Sequence, residues 1–88
     1  MKVYVVVIND VDIDQGEASA CAYRDAFLDE EKAIKQMQEI CDNDFQNAKH
    51  NGCDKAFVEI DKESNFQTLY FDNSLGQYTN YCVQTLEV

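Results

Sequence analysis

Along this chain, apolar residues recur every second position in some stretches and every third or fourth in one other, and that change of period predicts the elements. Lys2 to Asn9 (KVYVVVIN) is rich in β-branched residues and polar only at its ends, as a central strand is. The segment Asp10 to Glu17 (DVDIDQGE) contains Gly16 and reads as a turn, with strand continuing into its first residues. Ala18 to Phe27 (ASACAYRDAF) is expected to be a second strand antiparallel to the first. Its alanines favour strand only weakly, and a helix starting earlier is the competing reading.

The long period begins after Asp29, a good helix N-cap, with Glu30 and Glu31 suited to the positive end of the helix dipole. Ile34, Met37, Cys41, Phe45 and Ala48 then form one apolar stripe, widened by Ala33 and Ile40. Lys49 and His50 suit the last turn, and Asn51-Gly52 supplies a left-handed stop. Three further strands are expected at Lys55–Lys62, Asn65–Asp72 and Gln77–Val88, separated by short polar breaks. The order β-β-α-β-β-β predicts an α+β fold, an antiparallel sheet with one amphipathic helix packed on one face.

Eighty-eight residues allow one core, so residues 1–88 are read as a single domain. Hydrophobic residues make up 45% of the chain and aromatics 11%, which separates it from a disordered acidic tail. The longest apolar run, Val3 to Ile8, is too short to span a bilayer, and no small-residue cleavage site follows it. The expected compartment is therefore the cytoplasm. There the widely spaced Cys21, Cys41, Cys53 and Cys82 read as free, mostly buried thiols rather than a disulfide framework.

Charge changes the picture most. Seventeen acidic residues face seven basic ones, for a net charge of −10, and the acids are spread through every segment. Such a surface repels nucleic acid and anionic membranes and attracts basic protein surfaces. The acids fall into four sets. Asp10, Asp12, Asp14 and Glu17 occupy the first turn, and Asp25 flanks the helix start with Asp29, Glu30 and Glu31, which serve as cap and dipole partners. Glu39, Asp42 and Asp44 are expected on the helix's outer face, and Glu59, Asp61 and Glu63 along one face of a strand and its turn. In extended chain, alternate residues lie about 6.6 Å apart on one face, so Asp10, Asp12 and Asp14 would present charges spaced much like neighbouring phosphates. The plainer reading turns these aspartates to solvent and Val11 and Ile13 inward.

Catalytic and cofactor chemistry finds little footing. The D-x-D-x-D opening at Asp10 resembles a calcium loop, but Gly16 comes one residue late and the closing position holds Cys21 in place of Glu. Cys41, His50 and Cys53 lack the close cysteine pair of a zinc site. There is one histidine and no G-x-S-x-G, C-x-x-C, H-E-x-x-H or phosphate-binding glycine loop. No cofactor and no catalytic residue are expected. Phe57, Phe66, Tyr70, Phe71, Tyr78 and Tyr81 crowd the last three strands. Phe66 and Tyr70 share one sheet face, and Leu69 and Phe71 the other, so one face either is partly covered or displays an aromatic patch.

In size, acidity and simple α+β organisation the whole chain resembles the small acidic proteins of phages and mobile elements, including anti-CRISPR and anti-restriction inhibitors. The resemblance has no motif behind it and assigns no residue. It implies a non-enzymatic inhibitor whose carboxylates take the place of DNA phosphates on the basic surface of a partner, in its most concrete form a Cas nuclease. Direct binding of nucleic acid or membrane is not expected. The alternative is a structural or regulatory domain that forms a homodimer through a strand edge or the aromatic patch, with acidity serving solubility.

Overall fold

The computed structural model describes residues 1–13, 15–18, 22–63, 66–72 and 75–88, with the side chains of 22–25 also outside the description. Its elements are β1 (Lys2–Asp12), β2 (Glu17–Ala18), β3 (Ala22–Phe27), α1 (Glu30–His50), β4 (Phe57–Asp61), β5 (Phe66–Tyr70) and β6 (Gln77–Glu87). The six strands form one antiparallel sheet ordered β2-β1-β6-β5-β4, and β3 pairs with β1 beside β2. The α+β fold with a single helix on the sheet is as the sequence predicts.

Two strands run longer or shorter than the sequence pattern suggests. β1 continues through Asp12, because β6 pairs with it along its full length, from Lys2 opposite Glu87 to Asp12 opposite Gln77. Aspartates disfavour strand, and the ladder overrides that preference. The expected second strand, Ala18–Phe27, is instead two: β2 and β3, each antiparallel to β1, with a register shift between Val5 and Val7 where β3 pairs.

The helix begins and ends where its caps dictate. Asp29 accepts a hydrogen bond from the Glu31 N–H at 3.0 Å. At the other end the Cys53 N–H reaches the Ala48 carbonyl and the Gly52 N–H the Lys49 carbonyl, with Gly52 at φ +99°. These two bonds are a Schellman ending, which needs a residue free to take a left-handed conformation.

The core lies between α1 and the sheet. Ala33, Met37, Cys41 and Ala48 bury one helix stripe against Val6, Ile8, Leu69 and Tyr81, with Ile34, Ile40 and Phe45 packed at its margin. Alternation along β1 places Val6, Ile8, Asp10 and Asp12 on the helix side and Val5, Val7 and Val11 on the other. No helix among the described residues is long and apolar enough to cross a membrane.

The far face of the sheet has no helix over it among the described residues. Val5 and Val7 are nevertheless buried there, flanked by paired strands on both sides. Across β4, β5 and β6 the rings of Phe57, Tyr70 and Tyr78 form a row, with centroids 4.9 Å and 5.7 Å apart. Leu69 and Phe71 face the helix, as their alternation with Phe66 and Tyr70 predicts.

Candidate functional site

Two adjoining hollows, of about 370 Å³ and 330 Å³, lie along β1 and β6, the smaller of them beside the C-terminal half of α1. They share Asp10, Thr79 and Phe71 and together make one groove. Asp12 and Glu17 stand at one end, opposite each other on β1 and β2. Asp44 and Asn47 of α1 stand at the other. No lysine or arginine is among the described residues that line it.

The carboxylates in this groove are held from below. The Tyr81 hydroxyl donates to Asp44 Oδ2 at 2.7 Å, and the Thr79 hydroxyl donates to Asp10 Oδ1 at 2.7 Å. Both donors are buried, Tyr81 at 1% and Thr79 at 4% exposure, so their geometry is set by the core. Asp12 Oδ1 accepts from the Gln15 N–H at 3.1 Å, and Gly16 at φ +68° closes the turn back to the Ile13 carbonyl. The sequence thus folds so that apolar β1 and β6 residues anchor the strands, while their acidic and hydroxylic continuation forms the groove.

Burial, then the hydrogen bond and charge of Asp44, holds the Tyr81 phenol protonated far above its ordinary range. Burial, with the charges of Asp44 and Asp42 adding to it, pushes the Cys41 thiol up to about 11. A thiol so protonated is a poor nucleophile. Tyr81 serves as a fixed donor.

The structure sorts the sequence-predicted acids into separate places. Asp10, Asp12, Glu17 and Asp44 line the groove at successive places along it. Asp44 corrects the expectation of an outer-face residue: it is half-buried and bonded to Tyr81. Asp10 and Asp12 share a face as predicted, but on the helix side of the sheet, in line with Val6 and Ile8. Nor does the turn bury its apolar pair on one side, since Ile13 is 60% exposed. Asp14 and the Asp25 side chain lie outside the described residues. Glu39 and Asp42 are exposed on α1, Asp42 beside β4. Glu59 and Asp61 are exposed on the far sheet face, and Glu63 follows them in the turn, its N–H on Asp61 Oδ1 at 3.1 Å.

Tyr81 and Thr79 carry the groove's geometry and were not among the acids singled out from sequence. Their signal is the two-residue period of β6, which puts both on the face that receives Leu69 and the helix. Cys41 and Cys53 are free thiols, Cys82 is half-buried on β6, and Cys21 lies outside the described residues. Among the described residues no three His, Cys, Asp or Glu side chains are grouped to hold a metal ion. Compared with known proteins, the chain matches no family model, no curated protein and no solved structure.

Proposed function

We propose that this chain is a non-enzymatic acidic binding protein that covers a basic, nucleic-acid-binding surface of a partner protein. The observation that carries the reading is the groove lined along its length by Asp10, Asp12, Glu17 and Asp44, with no lysine or arginine among the described residues of its lining. Asp10 and Asp44 are already fixed by Thr79 and Tyr81, so less side-chain freedom is lost when they pair with a partner's lysines and arginines. Charge-assisted hydrogen bonds to those cations supply specificity, and the net charge of −10 speeds encounter. The most concrete partner is a CRISPR-Cas effector, blocked by carboxylates standing where DNA phosphates would lie. The protein itself has no part in binding nucleic acid or membrane on this reading.

The test is capture of partners from bacterial lysate, eluted from about 0.1 M to about 1 M salt, a range that shortens electrostatic reach from about 10 Å to about 3 Å. A nucleic-acid-binding protein that elutes with salt and is displaced by DNA supports the reading. An eluate holding only further copies of this chain contradicts it.

That second outcome is the other reading, a self-associating structural domain. It draws on the Phe57–Tyr70–Tyr78 row on the uncovered sheet face. Molecular mass at low and high salt separates the two, since association of apolar surfaces persists as salt rises.

A further inference from the structure

β4 ends the sheet. It pairs with β5 on one side and with no strand on the other among the described residues. An edge strand of this kind offers unpaired backbone groups to an incoming chain. The side chains of β4 differ sharply between its two faces. Away from the helix stand Glu59 and Asp61, both exposed, and Phe57, the outermost ring of the aromatic row. Toward the helix stand Val58 and Ile60, and Ile60 is 57% exposed.

Beside Val58 and Ile60 the helix leaves a second cavity of about 530 Å³, lined also by Cys41, Phe45 and the edge ring of Phe57 and by the polar Gln38, Asp42 and Gln67. Apolar Phe45, Val58 and Ile60 share this lining with polar side chains, and Ile60 is exposed at the strand edge. The helix therefore packs over the middle of the sheet and stops short of covering β4.

We infer that β4 receives an extended segment of the partner protein as an added strand, and that this segment alternates cationic with apolar side chains. The inference rests on the acidic-binding reading above and names the part of the partner it recognises. Alternation makes the requirement specific. In an added strand every second residue faces the side of Phe57, Glu59 and Asp61, and the residues between face the cavity beside Val58 and Ile60. Opposite charges across neighbouring strands stabilise pairing, and a cation against the Phe57 ring adds to it. Apolar residues on the other side fill the cavity and cover Ile60. A second copy of this chain is a poorer occupant, because its own β4 would bring Glu59 and Asp61 to the same face and a further charge of −10 to the assembly.

The test uses two peptides of identical composition, one alternating arginine and valine, the other with the same residues in two blocks. Binding to the full chain is followed by backbone amide shifts at low salt. The alternating peptide is expected to bind about tenfold more tightly than the blocked one. Its shifts should map to residues 57–61 and to Phe45. Ile60→Lys, at an exposed position, should abolish that preference while leaving the rest of the spectrum in place. Equal binding of both peptides, with shifts at Asp10, Asp12 and Asp44, overturns the inference and leaves the acidic-binding reading standing. Failure of both peptides to bind at low salt overturns the two together. A mass that doubles with concentration and reverts in Ile60→Lys assigns the edge to a second copy instead.

Discussion

The Tyr81 hydroxyl donates a 2.7 Å hydrogen bond to Asp44 Oδ2, so a ring buried in the core of the sheet aims a helix carboxylate along the acidic groove. The bond ties β6 to α1 and makes the stability of the fold and the shape of the groove one property. Tyr81→Phe keeps the ring and deletes the donor. It is expected to cost about 1.5 kcal/mol, the low end for a bond to a charged group, because Asp44 keeps access to water. Asp44→Asn retains an acceptor and should cost less. Urea midpoints at unchanged slope check both, and a Tyr81→Phe midpoint equal to wild type would show the bond idle.

Alkaline pH should destabilise the fold in two stages. Cys41 is raised from 9.0 to about 11 in the folded chain, so the unfolded chain releases that proton first. Stability from this group is complete below pH 9.0 and is lost as pH rises toward about 11. Tyr81, raised from 10.0, has the same sign and begins to act above pH 10.0. Urea midpoints measured across this range should fall, less steeply between pH 9.0 and about 11 in Cys41→Ala. A midpoint that stays level in the wild type contradicts the burial of both groups.

The helix was legible from sequence to the residue, since Asp29, the apolar stripe and Asn51-Gly52 state its start, face and stop together. The acidic groove was only half legible. Asp44 lies three residues after Cys41 and four before Ala48, at the border of the buried stripe, and counting it among the outer acids overlooked that angle. Asp10 and Asp12 continue the parity of Val6 and Ile8, which places them on the helix side once the strand runs past Asn9. What the local pattern could not supply was β6, whose pairing extends β1 through two aspartates. The division of Ala18–Phe27 into β2 and β3 likewise depends on partners distant in sequence, for both strands pair with β1.

The helix ends give a prediction that separates backbone strain from packing. An added Cβ at Gly52 would meet nothing within 4 Å, so Gly52→Ala tests the φ of +99° alone. It is expected to lower stability by about 1 kcal/mol. Asp29→Ala, which removes the N-cap acceptor, should cost about 1 kcal/mol as well. Thermal melts of the two single variants and the double check the values, and the double should be additive because the sites lie at opposite ends of α1.

Met37 is fully buried at the centre of the helix stripe, against Val6, Leu69 and Tyr81 in one cluster. Met37→Ala is expected to destabilise by about 2–5 kcal/mol through lost burial and the cavity left behind. Glu39→Ala, two residues on and exposed, should change stability by less than about 0.5 kcal/mol. Denaturant titration of the pair shows whether the helix face is as assigned, and similar losses for both would contradict it.

The central claim is tested most directly by the affinity of the captured partner for wild type and for a variant carrying Asp10→Asn, Asp12→Asn, Glu17→Gln and Asp44→Asn. These changes remove four charges from the groove while keeping hydrogen-bond acceptors for Thr79 and Tyr81. The account predicts that the variant folds, binds at least about tenfold more weakly at about 0.1 M salt, and loses most of the salt dependence of binding. Undiminished affinity with an unchanged salt slope would contradict the groove as the binding surface.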